Sequence, residues 1–176
     1  MTGFIKMNST SKSDIFSVAE SRIEDKFRGA TVVIPHVCNN AGVFGSGFAA
    51  SVRNNYPIVS SNFELLGNNL KLGYVQYVSV RKDNVYNHEI IFANMVAQKG
   101  FIGRNNPRPL SYEALVKCMI DIRNFITKCD KDNIEIHCPK FGSGLAGGNW
   151  LFIKELISDI WYNQNVFIYS PPDKIK

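Results

Sequence analysis

The sequence is poor in features that assign a class at once. No apolar stretch in its 176 residues approaches the roughly 18 needed to cross a bilayer. The N-terminal MTGFIKMNSTSKSD has neither a long apolar core nor a small-residue cleavage site, so it does not read as a secretory signal. Internal repeats and low-complexity tracts are absent. The four cysteines, Cys38, Cys118, Cys129 and Cys138, include no C-x-x-C pair and fit no zinc template. We therefore expect reduced, mostly buried thiols, no metal, no cofactor and a cytoplasmic or nucleocytoplasmic setting. The P-loop pattern G-x-x-x-x-G-K-[ST] is missing. GSGLAGG fills the places of a dinucleotide fingerprint, but it comes late in the chain, without the following strand and ribose acid that fingerprint needs.

What is present describes an ordinary globular chain. It is 45% hydrophobic and 20% charged, enough to bury a core within one domain over residues 1–176. Residues 1–13 and 171–176 read as peripheral. The net charge of +5 is compatible with a polyanionic ligand. The cations are scattered, however, with VRKDN and GRNNPRP the densest spots. A solvated surface explains them, and no alternation of aromatic and basic residues suggests stacked nucleic acid. Neither nucleic acid nor membrane is an expected partner.

The periodicities alternate. GFIKM is a short candidate strand, and 15–27 carries apolar residues at helical spacing. TVVIPHV (31–37) is a β-branched strand followed by a glycine-rich turn. A short helix from 48 is expected to stop at Pro57. YVQYVSV (74–80) and EIIFANMVA (89–97) are strands. Ser111 caps a helix over 112–128 with apolar positions on one face. NIEIHC (133–138) is a strand, 150–163 a helix and VFIYS a last strand. This order predicts the α/β class: a three-layer α/β/α sandwich with a mixed, mainly parallel central sheet. Ligands then belong at the carboxyl ends of the strands.

Two glycine-rich loops, 38–47 and 141–148, each follow a buried strand and precede a helix. Glycine lets backbone N–H groups approach an oxyanion, and the helix dipole adds attraction. A pair of such loops suggests a diphosphate held from both sides. His36 and His137 occupy equivalent places before the two loops; each is either a strand-end histidine or a proton carrier near neutrality. Asn39 and Asn40 are turn formers or ribose contacts. Lys99, just past a buried strand, is a solvated lysine or a phosphate or ribose contact. Cys38 and Trp150 read as packing. Phe48 and Phe141 either plug the core or lie on a sugar, and Tyr169 and Ser170 end the last strand as a candidate wall.

The runs IPHVCNNAGVFGSGFAASV, ANMVAQKG, SYEAL and HCPKFGSGLAGGNW resemble, in the same order, macro domains, the ADP-ribose-binding modules. The branch they resemble includes terminal ADP-ribose protein glycohydrolases and ADP-ribose 1″-phosphate phosphatase, and the likeness covers about Thr31 to Tyr169. It implies that ADP-ribose lies across the strand ends, with Asn39 or Asn40 on the distal ribose. The first loop, up to Phe48, would hold that ribose, and its Gly45, Ser46 and Gly47 would line the diphosphate. Gly142, Ser143, Gly144, Leu145, Ala146 and Gly147 would close over it. Asp14, beside Ile15, stands where relatives place an adenine-binding acid, with Ser13 replacing their glycine. The implied activity is hydrolysis of ADP-ribose 1″-phosphate within NAD metabolism, with His36, Asn39 and Lys99 as candidate catalytic residues. The glycohydrolases pair a lysine with an acid in the second loop; Ala146 stands at the acid's place here, so a lysine-linked mechanism lacks its partner. A non-catalytic ADP-ribose-binding module, or removal of ADP-ribose from modified macromolecules, is the alternative.

Overall fold

The protein is described from a computed structural model covering residues 5–8, 14–67 and 70–170, with backbone alone for 5–8. In chain order the elements are β1 (Ile5–Asn8), α1 (Ile15–Glu24), β2 (Thr31–Asn39), α2 (Gly47–Asn55), α3 (Pro57–Glu64), β3 (Val75–Lys82), β4 (Glu89–Gln98), α4 (Tyr112–Lys128), β5 (Ile134–Pro139), α5 (Trp150–Ile160) and β6 (Asn165–Tyr169). The strands form one six-stranded sheet in the order β1-β6-β5-β2-β4-β3. Every neighbouring pair is parallel except β3 with β4. The mixed, mainly parallel sheet is as the periodicity predicts. Ser13, the remainder of 1–13 outside β1, and 171–176 lie outside the described residues.

Both sheet faces are covered. Helices α4 and α5 lay Leu115, Met119, Ile122, Ile153 and Ile157 on Val33, Met95, Ile136 and Val166. On the other face α1, α2 and α3 lay Phe16, Ile23, Val52 and Phe63 on Val32, Ile34, Ile90 and Phe92. Each fully buried side chain of this size stabilises the fold by about 1.5–3 kcal/mol relative to exposure. With two covered faces β4 has no polar alternation, and seven of the eight residues after Glu89 that are buried in it are apolar, Asn94 being the exception.

Several boundaries differ from the sequence reading: α5 ends at Ile160 rather than 163, and β2 and β3 each run two residues further than expected. The short helix expected to stop at Pro57 does so as α2, but a further helix that the sequence reading did not name, α3, begins there, because Pro57 occupies its first turn. There its fixed φ is pre-set for a helix and its missing N–H costs nothing. Its ring also disfavours the α conformation at Tyr56, which turns out to φ −135° and separates the helices. Helix α1 ends at Glu24 rather than 27, since Asp25 Oδ1 accepts from the Phe27 and Arg28 N–H groups at 2.8 and 2.9 Å and turns the chain.

Candidate ligand-binding cleft

The carboxyl ends of β2, β4 and β5 open into a cleft of about 160 Å³. Its first wall is the loop after β2. A register shift between Cys38 and Asn39 ends the ladder there. The Asn39 amide then folds the loop onto itself: Oδ1 accepts from the Ala41 and Val43 N–H groups at 3.0 and 3.2 Å, and Nδ2 donates to Val43 O at 2.6 Å. The loop delivers the chain to α2, whose N-cap Ser46 makes no side-chain cap. Asp14, Ser111 and Asn149 do cap α1, α4 and α5. The first-turn N–H groups of α2 therefore remain available to an external acceptor.

The second wall is the loop between β5 and α5. Gly142 and Gly147 sit at φ 74° and 72°, where a side chain is strained. Gly148 N–H donates to Gly142 O at 2.8 Å, Gly147 N–H to Gly144 O at 2.9 Å, and Leu110 N–H to Ala146 O at 3.0 Å. This bracing leaves the N–H groups of Gly142, Ser143, Gly144, Leu145 and Ala146 without an acceptor among the described residues. The walls nearly touch: a Cβ built on Gly47 would lie 3.9 Å from Leu145 Cδ1. Among the described residues no carboxylate lines the cleft, whereas Lys140 does. Arg53 Nη1 also holds the first loop by donating to Phe44 O at 3.3 Å.

His36 lies in the cleft floor, 1% exposed. Its protonation is set by a chain of amides. Gln76 Nε2 donates to Asn62 O at 3.0 Å, Asn94 Nδ2 to Gln76 Oε1 at 2.9 Å, and Asn94 Oδ1 faces His36 Nε2 at 2.6 Å. The carbonyl at one end fixes each amide orientation, so Nε2 carries the hydrogen and Nδ1 the lone pair, with the Cys38 thiol 3.7 Å away. Burial pushes the imidazole pKa down to about 4, against the upward pull of the Asn94 bond. The ring is neutral at pH 7.

His137 belongs elsewhere. It points to the α1 face, with Nε2 2.9 Å from Glu135 Oε2 and Nδ1 2.8 Å from the Tyr169 hydroxyl. Arg22 grips the same carboxylate with Nε at 2.9 Å and with Nη2. Burial pushes the Glu135 pKa up, but the hydrogen bonds from His137 and Arg22 outweigh it and hold the carboxyl below its usual value. This ladder ties α1 to β5 and β6.

No family model matches the sequence, and no curated protein matches it. Solved structures do. A Bacteroides thetaiotaomicron protein of unknown function aligns over 96% of this chain and 99% of its own at 23% identity, with a TM-score of 0.74. A macrodomain protein from Streptomyces coelicolor aligns over 80% of this chain and 88% of its own, at 27% identity and TM-score 0.61. Thermosipho africanus DarTG, solved in complex with ADP-ribose, aligns over 86% of this chain and 41% of its own, at 21% identity and TM-score 0.63. The fold is that of a macrodomain.

The cleft gathers many of the residues singled out from sequence: His36, Asn39, Ser46, Gly47, Phe48, Gly142, Gly144, Leu145 and Ala146 all line it, as does Phe141. Others lie outside its lining. Gly45, Ser143 and Gly147 belong to the loops' backbone. Asn40 Oδ1 is taken by the Gly100 N–H at 2.9 Å. Lys99 is exposed, because it follows the last strand residue and alternates away from the cleft. Asp14 caps α1, its Oδ2 3.3 Å from the Ser17 N–H, and Ile15 is buried behind it. Ala146 is only 6% exposed and packs with the α5-side core. A carboxylate there would be largely desolvated. Several lining residues escaped the sequence reading, Gln98, Phe101 and Lys140 among them. Alternation from Asn94, four residues earlier, points to Gln98, but a register shift in the pairing with β2 lies between the two and has to be known before that signal can be used.

Proposed function

We propose that the cleft binds ADP-ribose, with the diphosphate between the two loops and the distal ribose over the β4 end. One observation carries this reading: the second loop, whose N–H groups lack an acceptor among the described residues, and the start of α2, without a side-chain cap, line one cleft that holds no carboxylate among the described residues. Such donors suit phosphate oxygens, and the nearby Lys140 ammonium adds attraction. The structural relative that holds ADP-ribose supports the same ligand. Calorimetric titration of the protein with ADP-ribose tests it. A dissociation constant below about 100 μM is expected, and one weaker than about 1 mM, barely 4 kcal/mol, would overturn it.

Binding without turnover is what the side chains favour. Hydrolysis of ADP-ribose 1″-phosphate needs a proton acceptor at the distal end. His36 is a weak base at a pKa of about 4, the Asn39 amide is engaged within its loop, and Lys99 is not in the lining. We expect no release of inorganic phosphate from ADP-ribose 1″-phosphate by protein that binds ADP-ribose. Turnover abolished by His36→Gln would instead establish the phosphatase.

A further inference from the structure

We propose that the turn at 98–101 is a sugar subsite in which Gln98 and Phe101 select ligands carrying a ribose beyond the diphosphate. This rests on the reading of the cleft as an ADP-ribose site and assigns its hydroxyl recognition to residues other than the asparagines.

The turn is held by its own hydrogen bonds. Asn40 N–H donates to Gln98 O at 2.9 Å, and Asn40 Oδ1 accepts from Gly100 N–H at 2.9 Å. Lys99 N–H donates to Pro109 O at 2.9 Å, and Lys99 O accepts from Asn106 Nδ2 at 2.8 Å. Both peptide groups flanking Lys99 are thus tied to neighbouring segments. Gln98 Nε2 donates to Gly100 O at 2.9 Å, which fixes the orientation of its amide. Its Oε1 accepts no hydrogen bond from the described residues.

That oxygen is a side-chain carbonyl acceptor in the lining with no donor among the described residues. The loop walls supply backbone donors, which satisfy phosphate oxygens and do nothing for the hydrogen of a hydroxyl. The Asn39 and Asn40 amide oxygens are already accepting within the protein. A half-buried amide oxygen held at the cleft edge is an acceptor for a sugar O–H. Three residues on, Phe101 lines the same cleft with half its surface (52%) open. An aromatic face beside a fixed polar atom is the pairing that holds a sugar ring, the face covering its C–H groups and the acceptor reading its hydroxyl.

Calorimetry on the full chain with two ligands tests this. ADP shares the adenosine diphosphate and lacks the second ribose. Gln98→Met keeps the side-chain length and removes the acceptor. We expect it to weaken ADP-ribose about fivefold to tenfold, the effect of one neutral hydrogen bond, and to leave ADP unchanged. Phe101→Ala, at an exposed position where folding is not at risk, should show the same ligand split. Equal losses for both ligands, or no loss for either, in these variants would overturn the subsite while leaving ADP-ribose binding intact. A wild-type protein that binds neither ligand would overturn the reading of the cleft itself.

Discussion

Replacing Gly147 by alanine separates backbone geometry from ligand contact. Gly147 has φ 72°, and a Cβ there would lie 2.9 Å from Pro107 O and 3.2 Å from Arg108 Cα. Both neighbours are backbone atoms and cannot rotate away. The left-handed conformation costs alanine about 1–2 kcal/mol. The reduced freedom of the unfolded chain returns about 0.4–1 kcal/mol, and displacement of the 107–108 backbone adds to the loss. We take the net destabilisation as about 2 kcal/mol. For a chain of this length that lowers Tm by roughly 4–8 °C. Gly144→Ala is the control, because a Cβ there meets nothing within 4 Å and its φ lies outside the left-handed range. Its Tm should stay within about 1–2 °C of wild type. Its methyl group nevertheless stands in the loop that faces the ligand, so ADP-ribose affinity should fall about tenfold, or ~1.4 kcal/mol. Thermal melts and calorimetry on both variants read the two effects. Equal Tm losses, or a Gly147→Ala protein as stable as wild type, would refute the conformational reasoning.

Two further outcomes follow from buried polar groups. The His36 imidazole has an ordinary unfolded pKa near 6.5 and a folded value of about 4, so the unfolded chain binds the extra proton first. Its stabilising effect is complete above about pH 6.5 and is lost as pH falls toward 4, by up to ~3 kcal/mol. The stability difference between wild type and His36→Gln, from urea unfolding at pH 7.5 and 5.0, should shrink by about 2 kcal/mol at the lower pH; a pH-independent difference would contradict it. Arg22→Met leaves Glu135, with a side chain 7% exposed, facing only His137. Urea unfolding should show a loss of about 3 kcal/mol, partly recovered when Glu135→Gln is added.

The architecture was legible because its signals are local and repeated. Apolar runs in β2 and β4, the cap at Ser111, and the one-sided apolar stripe of α4 each name their element. Pro57 was read correctly as the end of α2, but the start of α3 at the same residue was missed, because only the packing of Val59 and Phe63 against the sheet reveals that second helix. At the cleft, the glycine loops were evident as backbone devices. Which side chains face inward was not. A bulge of one residue between β2 and β4 sets whether Gln98 or Lys99 enters, and that register is a tertiary property. The saturation of the Asn39 and Asn40 amides depends likewise on atoms brought close only by the fold.

The strand order has a consequence for how the molecule comes together. Central strand β2 is flanked by β4 and β5, whose pairing residues for Val33 are Ile91 and Ile136. On a ribosome, β2 emerges with one edge unpaired until residue 91 is made and the other until residue 136 is made. Through most of synthesis its Val-Val-Ile segment is an open template for a stray strand. Closure of the sheet is then a late, long-range event, and refolding should be slow for the chain's size and sensitive to protein concentration.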